Sequence, residues 1–457
     1  MLKIDRNFGS LKTKQKEVNM KRLSYPIDVQ IELTERCNFK CRHCYNYWRY
    51  EKDGVKQELG IVQFLTILKI LKDGGVSVIT LTGGEPFLRS NVLFALLKNA
   101  KSYGMEVGLN SNAALIVADY ANQLKKFGLD HALCSVLGIE QTHNLIVGTK
   151  DGFSHTMKGV KNLVKAGINV AINMVVSKLN QNELYETGKM LSGYGIRTFC
   201  ATPMVPSHES NKPYALSGEE CKKALKTLLR LRKDFGFNID TLEPIARCLF
   251  NENEEDDFIQ FFGNRICSAA VTSCAISSVG RMRPCIHADK DFGSLLQDDL
   301  LSIWGKMSPW SDEEILPNEC KECTATAICE GGCRMSAKII HGCYNGKDMY
   351  MKGPILDRER SRKIISTEKQ DDIEERESFK INSVANFRKE GFGGIVYVGN
   401  AIEFFTEEGF LLVQNLRHKG EFSVDEVAPE AKTNTEEAMQ ILLNLFRKKI
   451  ILRTERR

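Results

Sequence analysis

The sequence has no uninterrupted apolar run approaching the ~20 residues that a membrane-spanning helix requires. Its first residues, MLKIDRNFGSLKTKQKEVNMKRL, are basic but lack the apolar core of a secretion signal. A soluble, cytoplasmic protein with no membrane partner is therefore expected. Charge of one sign is also missing: 63 Lys and Arg stand against 58 Asp and Glu, a net +5 over 457 residues. That balance does not supply the broad basic surface of a dedicated nucleic-acid-binding protein. There is no internal repeat and no low-complexity tract. At roughly 100–200 residues per domain the chain holds two to four domains.

Cysteine is abundant. Fifteen is an odd number, and in a reducing compartment thiols serve as ligands, catalysts or core residues more readily than as disulfides. Cys37, Cys41 and Cys44 fall within eight residues, and Cys267, Cys274, Cys285, Cys320, Cys323, Cys329, Cys333 and Cys343 fall within 77. Two or more metal centres are expected. Cys134, Cys200, Cys221 and Cys248 stand singly, without partner spacing, and read as buried thiols.

From about residue 28 to 205, short β-branched runs alternate with longer amphipathic ones, the pattern of βα units around a parallel sheet. Strands are predicted at 28–33, 77–81, 106–109, 131–136, 169–176 and 197–201, with helices at 61–71, 91–102, 118–127, 154–165 and 180–191. Six such units suit a partial or open (β/α)6 barrel, whose loops after the strands carry the chemistry. Ser217 and Glu220 form a capping box for a helix running to about Phe235. From Ala246 to Cys343 periodicity fades, and this stretch reads as organised by metal. Residues 357–377 carry 14 charged side chains in 21 and read as a solvated helix or linker. Beyond them, strand-like runs at 394–398, 402–405 and 409–416 precede amphipathic stretches at 423–430 and 435–447, suggesting a small α+β domain. The expected boundaries are an extension over 1–27, a barrel over 28–240, a Cys-rich domain over 241–350, a charged linker over 351–377 and a terminal domain over 378–457.

Cys37-Asn-Phe-Lys-Cys41-Arg-His-Cys44 places three thiolates in the loop after the first predicted strand. Three are one short of the set for a cubane iron–sulfur cluster, so one iron would stay open to an outside ligand. Zinc would need a fourth ligand or a water, and His43 is the nearby candidate. His43 reads better as packing or contacting a cofactor, because its neighbour is already a ligand. Gly83-Gly84-Glu85-Pro86 ends the second predicted strand. Its glycines permit close backbone approach, and Glu85 can accept a hydrogen bond from a charged amine.

Together these two motifs resemble those of the radical S-adenosylmethionine (radical SAM) superfamily, over roughly residues 28–206. The resemblance implies a 4Fe-4S cluster on Cys37, Cys41 and Cys44, with S-adenosylmethionine on the open iron and its amine contacted by Gly83, Gly84, Glu85 and Pro86. Asn110-Ser111-Asn112 and Ser135-Val-Leu-Gly138 resemble further segments of that family, with Ala113 in place of a usual glycine and Leu137 in place of a usual acid. Ser135 and Asn173 are candidate cofactor-pocket residues. In that family, an electron passed to the bound sulfonium yields a 5'-deoxyadenosyl radical that abstracts hydrogen from an unactivated carbon.

The later cysteines read as C-x2-C-x5-C-x3-C from Cys320 to Cys333, followed by Cys343. They come after Cys267, Cys274 and Cys285, with Gly280 five residues before Cys285. A zinc ribbon is one reading of the Cys320–Cys333 run; eight thiols divide more naturally into two fully ligated clusters. The pattern resembles the SPASM extension of radical SAM enzymes. That resemblance assigns Cys267, Cys274, Cys285 and Cys333 to one auxiliary 4Fe-4S cluster and Cys320, Cys323, Cys329 and Cys343 to another, three clusters in all. Clusters with four thiolates serve as relays or structure, and two of them give a leftover electron a path.

Residues 386–397 begin a segment that resembles the PqqD-like element recognising leaders of ribosomally made peptides, a small winged-helix fold. The terminal domain holds 12 Lys and Arg against 11 Asp and Glu, which is not a DNA-binding footprint. The resemblance implies that a precursor's leader adds as a strand to this domain and concentrates the rest of the peptide at the barrel mouth.

The combined expectation is a peptide maturase that forms an oxidative crosslink, preferably a thioether, fed by a flavodoxin- or ferredoxin-like donor. Carbon–carbon crosslinking, epimerisation with Cys200 as hydrogen donor, and sulfatase-maturase chemistry are alternatives. A redox-sensing DNA-binding regulator is a further one.

Overall fold

The computed structural model describes residues 22–49, 57–262, 267–310, 313–357, 373, 377–399 and 401–454. It divides into two compact units, residues 25–363 and residues 364–457 with 1–24. Most of the expected N-terminal extension and most of the charged linker lie outside the described residues.

The larger unit is built on one nine-stranded sheet. Its strands are β1 (Asp28–Glu32), β2 (Val78–Thr82), β3 (Glu106–Ser111), β4 (His131–Ser135), β5 (Asn169–Val176), β6 (Thr198–Pro203), β7 (Asn238–Asp240), β8 (Ser273–Ile276) and β9 (Met282–Arg283). The order is β7-β6-β5-β4-β3-β2-β1-β8-β9, parallel from β7 through β8, with β9 antiparallel. The six expected strands all form. β7 extends the sheet beyond β6, and the hairpin β8–β9 adds to it beyond β1.

Helices α1 (Ile61–Asp73), α2 (Ser90–Ser102), α3 (Ala118–Lys126), α4 (Glu140–Val147), α5 (Gly152–Lys165), α6 (Leu184–Ser192) and α7 (Gly218–Phe235) link or follow these strands. Helix α1 shows why they form. Phe64, Ile67, Leu68 and Leu71 recur at helical spacing and are buried, and the Gln63 side chain accepts the Gly60 N–H at 2.8 Å to cap the first turn. The capping box predicted at Ser217 and Glu220 opens α7.

Alternation along each strand separates two faces. Val29, Ile31, Ile79, Leu81, Val107 and Leu109 join the apolar core with α1 and α2. Glu32, Thr82, Asn173, Cys200 and Thr202 lie on the other face, the interior of the partial barrel.

The Cys-rich stretch is folded throughout its described length, with α8 (Glu255–Phe262), α9 (Leu300–Lys306), α10 (Asn318–Lys321), α11 (Thr326–Cys329) and α12 (Arg334–His341).

The smaller unit carries a sheet of β11 (Asn386–Glu390), β12 (Gly393–Val398) and β13 (Ala401–Thr406), and a second of β10 (Ser378–Ile381), β14 (Glu421–Ser423) and β15 (Ile451–Arg453). Helices span Glu407–Lys419, Val424–Glu430 and Thr435–Arg447. The run 409–416, expected as a strand, is inside the first of these. Thr406 caps it through the Gly409 N–H, and Phe410, Val413 and Leu416 recur every third residue on its buried face. The segment before β1 belongs to this unit: Leu23 is buried and the Ser24 N–H donates to Glu390 at 2.8 Å. Among the described residues no helix is long and apolar enough to cross a membrane.

Candidate functional site

The three-thiol loop leaves the end of β1 and is held by main-chain contacts with the turn after β2. The Gly84 N–H donates to the Thr34 carbonyl at 2.7 Å and the Glu85 N–H to the Arg36 carbonyl at 2.8 Å, so the chain enters Cys37 in a fixed direction. Side chains would forbid this approach. A Cβ on Gly84 would lie 2.1 Å from the Arg36 oxygen, and one on Gly83, at φ +137°, 2.5 Å from the Thr34 oxygen. Glu58 accepts the Thr34 hydroxyl at 2.6 Å and the Glu35 N–H at 2.9 Å, and Arg89 donates to the Leu33 and Leu59 carbonyls.

The far side of the loop rests on α4, an element absent from the sequence-based expectation. The Lys40 and Arg42 N–H groups donate to the Val147 and Ile146 carbonyls, each at 3.0 Å. Phe39, Leu137, Ile146 and Val147 form a small apolar core against which Cys37 and Cys41 pack.

Burial pushes the Cys37, Cys41 and Cys44 thiols above the usual thiol range, and each of Cys37 and Cys41 is raised further by neighbouring thiols. Arg49 opposes this at all three positions and hydrogen-bonds Cys44. The Phe39 N–H and the Asn112 amide approach the Cys37 sulfur at 3.5 and 3.8 Å. Thiols gathered around a cation and hydrogen-bond donors, beside bare glycine backbone, fit an anionic iron–sulfur cluster, which takes them as thiolates. His43 is buried and its pKa is lowered to about 4 by burial, so it packs as a neutral ring.

Glu85 is buried and already engaged. Its carboxylate accepts the Phe87 N–H at 3.1 Å, the Ser111 hydroxyl at 2.8 Å and the Asn112 N–H at 2.9 Å, fastening the end of β2 to the end of β3. Asn112 in turn reaches Asn38 at 2.8 Å. Burial outweighs these donors and raises the Glu85 pKa to about 7. The folded chain thus holds this proton more tightly than the unfolded one, so stability falls as pH rises from about 4.5 to about 7 and is level above that. The expected loss is about 3 kcal/mol at ~1.36 kcal/mol per unit. Glu85→Gln is expected to flatten the pH profile of urea-unfolding free energies by that share. Asp28, buried at the other end of β1 with its pKa also raised to about 7, keeps a slope of its own.

Ser135, Asn173 and Cys200 are paired in register across β4, β5 and β6, so they share one layer of the barrel interior. Asn173 accepts the Thr202 hydroxyl at 2.7 Å. Cys134 and Cys221 are in the apolar core, as expected.

Residues 31–191 match the family model described as the radical SAM superfamily. This stretch is a radical SAM domain. The AdoMet-dependent heme synthase of Oleidesulfovibrio alaskensis is 24% identical over 69% of this chain and 84% of its own length. The sporulation killing factor maturation protein SkfB of Bacillus subtilis is 25% identical over 61% of this chain and 64% of its own. Streptococcus suis SuiB, solved bound to precursor peptide SuiA, aligns with TM-score 0.58 and 20% identity over 72% of this chain and 76% of its own. The enzyme anSMEcpe with bound AdoMet aligns with TM-score 0.56 and 18% identity over 71% and 94%. The two structural likenesses show a shared fold.

Downstream of the radical SAM domain, the later cysteines fall into two neighbourhoods. Cys267, Cys285 and Cys333 lie within electrostatic reach of one another or of a common neighbour, Glu243. Burial raises Cys267 to about 11 and Cys285 to about 12, and pushes Cys333 up as well. Glu243 pairs with His287 at 3.3 Å, and the His287 ring stacks on Tyr45 at 4.6 Å, one residue from Cys44. Gly280, at φ +80°, closes the β8–β9 turn that delivers Cys285. Cys274 is placed differently. It sits on β8 opposite Val29 of β1, in the apolar core, while the adjacent Ser273 turns the other way to meet the Ser268 hydroxyl at 2.8 Å.

Cys320, Cys323 and Cys329 form the second neighbourhood. Cys343 is exposed, just beyond the left-handed Gly342 that ends α12. Cys248, expected as an isolated buried thiol, is half-buried and lines a pocket with these three. Among the described residues no group of three or more His, Cys, Asp or Glu side chains has the convergence of a single-ion site.

Proposed function

We propose that this protein is a radical SAM peptide maturase that crosslinks a ribosomally made precursor, with a thioether as the preferred bond. The observation that carries the reading is the pairing of the Cys37–Cys44 loop with two further thiol groups in the same unit, in a chain whose remainder folds as a separate small domain. One cluster open to the cofactor and two further thiol groups able to hold relay clusters match a reaction that removes two hydrogens and must export an electron. When bound, the first cluster supplies the electron that cleaves S-adenosylmethionine to the hydrogen-abstracting 5'-deoxyadenosyl radical.

In this reading Gly83 and Gly84 give the cofactor close access to main chain, and Glu85, Ser111 and Asn112 hold that edge rigid. Ser135, Asn173 and Cys200 line the interior layer where a substrate carbon meets the cofactor. The β11-β12-β13 sheet of the smaller unit offers edge strands to a leader peptide and a flavodoxin- or ferredoxin-like protein supplies electrons. SuiB's structure with its precursor and SkfB's maturation role support a peptide as partner. The heme synthases among the relatives favour a second reading, a tetrapyrrole substrate.

Anaerobically reconstituted protein, incubated with S-adenosylmethionine, a reductant and peptides encoded beside its gene, separates these readings. Loss of two hydrogens per link in the peptide mass supports crosslinking, and unchanged mass with altered chirality supports epimerisation. Turnover of an iron porphyrin but of no peptide would overturn the maturase reading.

A further inference from the structure

Cys248 is 72 residues from the next thiol of its neighbourhood, so no spacing motif marks it. It lies on the single helical turn Arg247–Leu249, directly before the Phe250 and Phe258 stack. The guanidinium of Arg247 is buried against Glu255, with nitrogen–oxygen distances of 3.1 and 3.2 Å, which fixes the turn. Cys248, Cys320, Cys323 and Cys329 line one pocket, bounded by the apolar Met351 and Ile355. Cys248 is within electrostatic reach of both Cys320 and Cys329.

Three of the four sulfurs accept a main-chain N–H, one from the turn at Arg247 and two from the 352–355 stretch. The Arg247 N–H donates to Cys329, the Lys352 N–H to Cys248 and the Ile355 N–H to Cys323, all at 3.3 Å. Thr324 anchors the 355 segment, its N–H and its hydroxyl each donating to the Ile355 carbonyl at 2.8 Å. At the fourth sulfur the wall is bare: a Cβ on Gly331 would lie 3.2 Å from Cys320 Sγ. Main-chain donors aimed at sulfur stabilise the negative charge of cluster thiolates and set a cluster's potential. Cys343 has no such setting. The chain after it returns towards Cys320, Lys347 pairing with Glu319 at 2.8 Å, yet Cys343 itself is exposed and does not line the pocket.

We infer that Cys248 is the fourth thiolate of the auxiliary cluster held by Cys320, Cys323 and Cys329, and that Cys343 is not one of its ligands. The inference rests on the proposal that the later cysteines hold 4Fe-4S clusters, and it replaces one member of the ligand set that the SPASM resemblance implies. Its structural content is that the segment after α7 closes the cluster from the barrel side. The cluster would then be tied by one thiolate to the Arg247–Leu249 turn that follows β7, rather than held by packing alone.

The test uses the full chain with Cys37, Cys41 and Cys44 all changed to Ala, so that only auxiliary iron remains, reconstituted anaerobically. Cys248→Ala added to this background is expected to lose about half of the sulfide-bearing iron, one cluster of two, or to give a 3Fe-4S electron paramagnetic resonance signal. Cys343→Ala is expected to leave iron, sulfide and spectrum unchanged. The reverse pattern overturns the inference and leaves the auxiliary clusters standing. Zinc or no metal in the triple variant overturns the clusters themselves and the inference with them.

A measurement on the unaltered chain guards against misfolding. Alkylation of Cys248 is expected to be at least about tenfold slower in the reconstituted protein than in the iron-free protein, because a ligated thiolate is not a free nucleophile, while Cys343 reacts alike in both. Equal labelling of Cys248 in the two states overturns the assignment.

Discussion

Cys41→Ala is expected to lower 5'-deoxyadenosine formation at least about a thousandfold, to the level of protein without iron. Cys41 is the middle thiol of the loop, raised by both Cys37 and Cys44 and packed on the Phe39, Leu137, Ile146 and Val147 core. Two thiolates do not hold a cubane with one open iron, so the loss is of the cofactor site rather than of its tuning. Chromatography of the nucleoside product measures it, with Cys134→Ala as the matched control in the apolar core. Binding of a labelled leader peptide to the smaller unit is expected to survive Cys41→Ala. Loss of both would show that peptide capture depends on the loaded barrel.

Arg283→Met is expected to cost about 3–5 kcal/mol of stability, the range for removing one partner of a buried ion pair. Arg283 on β9 and Glu32 on β1 are each 2% exposed and are paired. The same guanidinium donates to the Ala288 carbonyl at 3.0 Å and lies over the Tyr47 ring at 5.1 Å. Without it Glu32 is left as a buried carboxylate, a cost that removal of both charges avoids. The Glu32→Leu, Arg283→Met double variant is therefore expected to recover most of the loss in urea titrations. Cys285 is two residues beyond Arg283, so the single variant is also expected to load less iron at the Cys267–Cys285–Cys333 group than the double variant. Equal loss in both would place the pair's value in its anchoring of the hairpin rather than in the cost of an orphaned charge.

These two sites differ in how much of them the sequence reveals. Cys37, Cys41, Cys44 and the Gly83–Pro86 turn are local motifs at strand ends, and alternation of β-branched runs with helical periodicity places the six strands that carry them. Glu32 and Arg283 are 251 residues apart, and no periodicity links them. Cys248 is hidden for the same reason: its partners are brought by the fold, not by spacing. Helix α4 is short and lacks a side-chain cap, so its signal is weak, although its carbonyls hold the cluster loop. The run 409–416 misleads because Gly409, Phe410, Leu411, Leu412 and Val413 are nearly continuous in hydrophobicity. Thr406 and the acidic Glu407 and Glu408 that follow it are the start signal that marks a helix. Glu85 is legible as a residue but not as a role, since only the structure brings Ser111 and Asn112 to its carboxylate.

The grip on the cluster loop by Gly84 and Glu85 has a consequence for how this site tolerates sequence change. It is made of main-chain groups, so it does not read the identity of the residues it holds. Glu35 and Arg36 can be exchanged widely without moving Cys37, provided the chain between Thr34 and Cys37 keeps its length. A single residue inserted between Thr34 and Arg36 would put the two hydrogen bonds out of register with one another. The loop is thus permissive to substitution and intolerant of insertion, and its fidelity resides in spacing that two glycines in the turn after β2 enforce.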